Sequence, residues 1–445
     1  MPGPWRPSAS CSRPSPPAAG TSSGRTSVQV VRTQEIASTI APDLIALRRE
    51  LHQIPELGMS LPLTQQAVVD ALKGLDLEVT LGKSLSSVVA VLRGRGGAGS
   101  SAATGAGGGR PVVLLRGDMD ALPVTEDLSL DFVSRHEGLM HACGHDLHVA
   151  GLVGAARILH ELRDELEGDA VFMFQPGEEG PGGAKPMIDE GLLEAAGRRV
   201  DAAYALHVYS SEHPLGMWFG RPGPLMAAAD EIKVRVVGEG GHGSQPFRAK
   251  DPIPVACEIV VALQTLVTRQ FNVFDPVVIT VGKFAGGTKD NIIPDDAVFE
   301  ATVRSLSEVA RAEVARKIEL LSTQLAEAHG LTAEVEYLPG YPVTVNDDAE
   351  YAFAKDTIID LFGADRYTHQ RDPEMGSEDF SFVGQLVPSA YVNLSACPAA
   401  DFDAAPDNHS PRADFDDSVV PDGAALLAEL ALRRLAQLNA GSPSS

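Results

Sequence analysis

Apolar and polar positions change rhythm along the chain, and each change marks an element. Leu44, Leu47 and Leu51 recur at helical spacing within 43–71, a stretch broken at Pro55 and Pro62, and 77–92 then reads as extended. Short apolar runs follow at 112–115, 170–174 and 202–206, each ending in polar residues, with helical stretches at 147–166 and 184–196 between them. This alternation predicts a mostly parallel sheet covered by helices, whose ligands bind beyond the carboxyl ends of the strands. From about residue 228 the order becomes strand 230–237, helix 252–270, strands 277–283 and 297–304, helix 308–329 and strand 331–337. That is the order of a small split unit of the ferredoxin type. Within it, Ser305 and Glu308 fit a capping box, Val314, Ile318, Leu321 and Leu325 share one face of the second helix, and Gly330 marks its stop. The mixed pattern then returns, with a helix at 349–361, a strand at 390–394 and a helix at 423–438. The expected organisation is a disordered tail at 1–38, a main domain split into 39–227 and 341–440, and an inserted domain at 228–340.

Composition narrows the possibilities. The tail is rich in Pro, Ser, Gly and Ala, carries Arg6, Arg13, Arg25 and Arg32, and has no acidic residue before Glu35. It lacks the apolar run of a secretory signal; a transit peptide, an upstream start or a plain flexible tail each fit it. Across all 445 residues, 36 Lys+Arg against 60 Asp+Glu leave a charge of −24, which argues against nucleic acid and anionic lipid surfaces as partners. The cysteines Cys11, Cys143, Cys257 and Cys397 are too scattered for a disulfide framework, so a reducing, cytoplasmic setting is expected. No run of about 18 consecutive apolar residues suggests a membrane span. Gly94-Arg-Gly96-Gly-Ala-Gly99 matches the dinucleotide fingerprint formally, but more Gly, Ser and Ala follow it where a helix is required. A flexible connection between strands is the expectation there.

Four polar clusters fall just beyond expected strands. Asp118 and Asp120, two apart at a strand end, suit a cation or the orientation of a ligand histidine; a solvated turn is the alternative. His141-Ala-Cys143-Gly-His145-Asp146-Leu-His148 places a thiol and an imidazole around one glycine, a pattern suited to a transition metal. The zinc deaminase signature requires a Pro-Cys-x-x-Cys partner, which this chain lacks. Gln175-Pro-Gly-Glu178-Glu179-Gly180 sets adjacent carboxylates in a turn, able to divide metal binding from general-base work. His207 ends another strand, and Asn408-His409 follows the strand at 390–394.

These motifs, together with Gly241-His242-Gly-Ser, Asp251-Pro-Ile, Asn291-Ile-Ile-Pro, Met375-Gly-Ser-Glu-Asp-Phe380 and His409-Ser-Pro, occur in order from about Ile40 to Leu438. The chain resembles the metal-dependent amidohydrolases of the aminoacylase and carboxypeptidase G superfamily. Its branch is that of hippurate hydrolases, N-acyl-amino-acid amidohydrolases and indole-acetyl-amino-acid hydrolases. The resemblance implies an α/β fold: a zinc-exopeptidase-like catalytic domain with a mixed central sheet flanked by helices, plus an inserted ferredoxin-like lid and dimerisation domain. It implies that Cys143, His145, Glu179, His207 and His409 hold one or two divalent metals (Mn, Zn, Co or Ni). It further implies Glu178 as general base, catalytic parts for Asp120 and for the lid histidine His242, which in the family reaches the substrate oxyanion, often from a partner subunit, and Asn291 and Arg304 near the substrate carboxylate. Phe247 stands where many relatives carry a second histidine, a departure that bears on the substrate pocket. The expected substrate is a small N-acyl-amino acid, and the expected assembly a homodimer through the lid. Dipeptidases and carboxypeptidases of the same superfamily are the near alternative, and a catalytically silent metal-binding scaffold the distant one.

Overall fold

The computed structural model describes residues 31–97 and 109–441. Most of the expected tail, Cys11 and most of the Gly-rich loop lie outside the described residues. The first helix, Arg32–His52, begins inside the expected tail. Ile36 and Ala37 carry the stripe of Leu44, Leu47 and Leu51 further back, and all five are buried. Thr33 Oγ1 also donates to Glu429 Oε2 of the last helix at 2.8 Å. Those apolar positions are sparse among polar residues, so composition alone hid them.

An eight-stranded sheet runs in the spatial order Glu78–Leu81, Val88–Arg93, Asp169–Gln175, Val112–Asp118, Ala202–Tyr209, Ser389–Ser395, Trp218–Gly220 and Tyr367–His369. From Asp169–Gln175 to Ser389–Ser395, the four central strands are mutually parallel. Three of them are buried on both faces throughout, which is why they read as continuous apolar runs. The helices Arg32–His52, His145–Glu161 and Val420–Gly441 pack together on one face, and Ala184–Asp189 and Ser381–Gly384 lie on the other. Parallel strands share one carboxyl end, so the residues just after Asp118, Gln175, Tyr209 and Ser395 meet there.

A second sheet has four antiparallel strands in the order Val277–Gly286, Asp296–Ser305, Ala228–Val237 and Thr332–Tyr341. Helices Pro252–Gln270 and Glu308–Ala328 share a core with one of its faces. The helix cap lies two residues beyond the expected one: Ser307 Oγ accepts from Ala310 N at 3.0 Å, while Ser305 ends the preceding strand. Glu308 faces away from a capping box, its Oε1 accepting from Val343 N. Pro252–Gln270 is long and apolar enough to cross a membrane by length and composition, a property the residue-by-residue count had not registered. Val255, Ala256, Ile259, Leu263 and Leu266 bury its apolar face against the sheet.

Candidate metal centre and hydrolytic site

Gly144 starts the helix His145–Glu161 in the left-handed region, with φ of 82°. A Cβ there would stand 2.4 Å from Val208 Cγ2, so only glycine admits the turn that brings Cys143 and His145 beside His207. Each histidine is oriented from behind. His145 Nδ1 donates to the Asp120 carbonyl at 2.8 Å and His207 Nδ1 to the Val208 carbonyl at 2.8 Å, leaving both Nε2 lone pairs facing inward. Asn408 pins the loop before His409, its Oδ1 accepting from Ser210 N and its Nδ2 donating to Val208 O. His409 Nε2 and His207 Nε2 then lie 3.3 and 3.4 Å from Cys143 Sγ.

The donor set fits a divalent metal. Cys143, His145 and His207 converge within 4.8 Å of one another, as do Cys143, Glu179 and His409, so the thiol belongs to both groups. Donors at about 2.0–2.3 Å from a tetrahedral ion stand roughly 3.3–3.8 Å apart, close to the separations around Cys143 Sγ. Among the described residues, His145 Nε2 and Glu179 Oε1 are buried without hydrogen-bond partners. Such orphaned groups cost about 1–3 kcal/mol each, a penalty that a cation between them removes.

His148, drawn into the same cluster by spacing, has no lone pair left for a metal. Val208 N donates to its Nε2 at 2.9 Å, which puts the ring proton on Nδ1, and Nδ1 donates to Asp118 Oδ1 at 2.6 Å. His141 is buried among His52 and Asp146 rather than among the donors. Asp120 is bound to the turn that follows the next strand. Its two carboxylate oxygens accept from Glu178 N and Glu179 N, both at 3.0 Å, which ties it to the turn that carries those glutamates.

Glu178 is buried, and burial with the neighbouring carboxylates of Glu378, Glu179 and Asp379 pushes it well above the ordinary carboxylate range. Behind it lies a charged network that sequence reasoning left without a role. Fully buried Arg116 contacts Asp118 at 2.6 Å, Glu378 at 2.7 Å and Asp379 at 3.3 Å. Gln175 Nε2 donates to Asp379, and Tyr391 OH donates to Glu378. Arg116 and Glu378 are 262 residues apart, so no local pattern relates them. The available signal was a buried-strand arginine, which needs carboxylates, and an acidic pair in a motif still without a task.

The cavity over this site has a volume of about 670 Å³ and is walled by Cys143, Glu179, His207 and His409 of the candidate donor set, by Tyr209 and Tyr341, and by Ala229, Glu231, Thr302 and Arg304 of the four-stranded sheet. Arg304 thus reaches the cleft, with Nη1 buried and, among the described residues, unpartnered. His242 and Asn291 do not line it. Gly241–His242 pairs with Ile292–Ile293 in a short ribbon, which holds both residues together on an exposed surface elsewhere on the chain.

Residues 114–433 match the model of Peptidase family M20/M25/M40. An IAA-amino acid hydrolase of Arabidopsis thaliana is 36% identical, covering 90% of this chain and 87% of its own. An N-acetyl-L-cysteine deacetylase of Bacillus subtilis is 33% identical, with 89% of each chain covered. A thermostable carboxypeptidase of Saccharolobus solfataricus is 36% identical over 88% of this chain and 95% of its own. Among solved structures, a Bacillus subtilis protein described as a dinuclear metal binding peptidase superposes with a TM-score of 0.75 at 29% identity, covering 90% of this chain and 99% of that one. The strand-end chemistry and these likenesses agree: this chain is a member of the M20/M25/M40 peptidase family.

Proposed function

We propose that the protein hydrolyses the amide bond of N-acyl-amino acids, releasing a carboxylic acid and a free amino acid. The observation that carries this is Glu178: a buried carboxylate in the cleft wall, next in sequence to a metal-donor residue and, among the described residues, with no hydrogen bond holding its own side chain. Cys143, His145, Glu179, His207 and His409 hold one or two divalent ions; at equal supply, affinity favours zinc over manganese. Bound there, the metal supplies Lewis acidity, polarising the amide carbonyl and making water acidic enough to ionise near neutral pH.

The remaining steps belong to the chain's own groups. Glu178 takes the proton from the attacking water and delivers it to the departing nitrogen, so one carboxyl serves as base and then as acid. Its raised affinity for protons suits that second duty. Arg304 holds the substrate carboxylate, which orients the amide toward Glu178. Because His242 and Asn291 lie outside their own cleft, a second copy of the chain supplies them, His242 donating to the developing oxyanion. The four-stranded unit is then both lid and dimerisation surface. Homology also favours a carboxypeptidase reading, through the Saccharolobus solfataricus relative.

A panel of hippurate, N-acetyl-amino acids and dipeptides, run on metal-reconstituted protein with and without chelator, separates these activities. Chelator-sensitive release of amino acids from the acyl derivatives is expected. Turnover of dipeptides alone would replace this reading with the peptidase one.

A further inference from the structure

The peptide that joins Glu178 to Glu179 is gripped at both ends. Its N–H donates to Asp120 Oδ2 at 3.0 Å, and its carbonyl accepts from Tyr341 OH at 2.7 Å and from Gly180 N at 2.8 Å. That single peptide carries the base on one side and a metal donor on the other. Tyr341 is half-buried in the cleft wall, with its ring edge-on to Phe382 at 6.1 Å. A Cβ on Gly182 would stand 3.1 Å from the same ring, so the turn closes directly against it.

The reach of Tyr341 is set by an irregularity in its strand. Leu338 stands opposite Glu231 and Tyr341 opposite Ala229, so Pro339 and Gly340 together face the single residue Asp230. Asp230 is buried and holds that bulge with both oxygens: Oδ1 accepts from Gly340 N at 2.9 Å and Arg311 Nη2 at 2.6 Å, Oδ2 from Arg311 Nε at 2.9 Å and Tyr337 OH at 2.6 Å. A Cβ at Gly340 would lie 2.1 Å from Ala229 O, so the bulge requires glycine there. Ala229 also stands opposite Arg304, which puts Arg304 and Tyr341 in one row of the sheet, about 10 Å apart at the backbone. The cation proposed for the substrate carboxylate and the hydroxyl on the base's peptide thus rest on one row of one sheet.

We propose that Tyr341 is a positioning residue for hydrolysis: its hydroxyl, bonded to the Glu178 carbonyl, fixes the peptide that carries the base, an inference that rests on the amide-hydrolase reading above. Tyr341→Phe keeps the ring against Phe382 and removes only the hydroxyl. At saturating metal its kcat on the best acyl-amino acid should fall by about tenfold or more, with KM within about twofold of the wild type, because alignment of the base is lost while substrate binding is not. Amide hydrogen exchange over 177–182 should quicken in the same variant, a readout that needs no substrate. Tyr351→Phe deletes a hydroxyl bonded to Tyr367 at 2.8 Å, outside the cleft wall, and should change neither kcat nor exchange over 177–182. Unchanged kcat, a rise in KM alone, unchanged exchange, or equal losses in Tyr351→Phe overturn the proposal. Failure of the wild type to hydrolyse any acyl-amino acid overturns the amide-hydrolase reading instead, and the exchange comparison still decides the part of Tyr341.

Discussion

Asp120→Asn tests how the chain couples its base to its metal donors. Asp120 accepts two backbone hydrogen bonds of 3.0 Å, one from Glu178 and one from Glu179. Asparagine is close to isosteric, but only its oxygen can accept, and its amide group meets the second N–H with a donor. One bond to a charged acceptor, about 1.5–3 kcal/mol, is lost, and two donors are brought face to face. The turn must then rotate, and it carries Glu178 and Glu179 together. A displacement of about 1 Å at a reacting group costs on the order of 100-fold in rate. The expected result is a kcat lower by roughly two orders of magnitude, weaker metal binding, and a lower urea midpoint corresponding to about 1.5–3 kcal/mol. Titration with a competing chelator reports metal affinity, and turnover at saturating metal isolates the effect on the base. Wild-type affinity and kcat in this variant would refute the idea that Asp120 sets the turn.

Three further outcomes follow from the same geometry. Cys143→Ser should lose metal affinity as well as activity, because the thiol belongs to both donor groups; full metal occupancy with normal turnover would remove Cys143 from the site. Arg116→Met leaves three carboxylates without their buried cation and should cost about 3–5 kcal/mol in denaturant unfolding, whereas a change under about 0.5 kcal/mol would show that the network is balanced without it. Burial disfavours charging His52, but Asp146 at 2.8 Å and Glu126 at 3.3 Å outweigh it and raise its affinity for protons above the ordinary value of 6.5. Its contribution to stability is therefore fully present below pH 6.5 and lost as pH rises through the folded value, so the destabilisation by His52→Gln should shrink from pH 6 to pH 9; a constant difference over that range counts against the ion pair.

The main sheet was legible in the chain because parallel strands buried on both faces leave continuous apolar runs, and their polar sequels gave the donor residues. What stayed hidden depends on contacts between distant segments. The Arg32 turn is helical because Thr33 and Ile36 bury there, something a sparse stripe in a polar stretch could not announce. Ser305 and Ser307 both precede Glu308, and only the strand's length decided which caps the helix. His148 shares a sequence cluster with His145, and only the Val208 N–H, which occupies its second nitrogen, sets it apart. The turn that Asp120 holds was hidden because its backbone targets lie 58 and 59 residues away. His242 and Asn291 share a ribbon that the register fixes, but no periodicity reveals that the ribbon stands away from the cleft of its own chain.

The central claim is that Glu178 moves protons while its neighbour holds metal, and Glu178→Gln examines both halves in one preparation. Metal stoichiometry and turnover of hippurate, or of the best acyl-amino acid found, are measured on the same sample. The account predicts metal content equal to the wild type, with kcat reduced by at least about 10²- to 10⁴-fold. Retained turnover, or loss of the metal together with the activity, would contradict it.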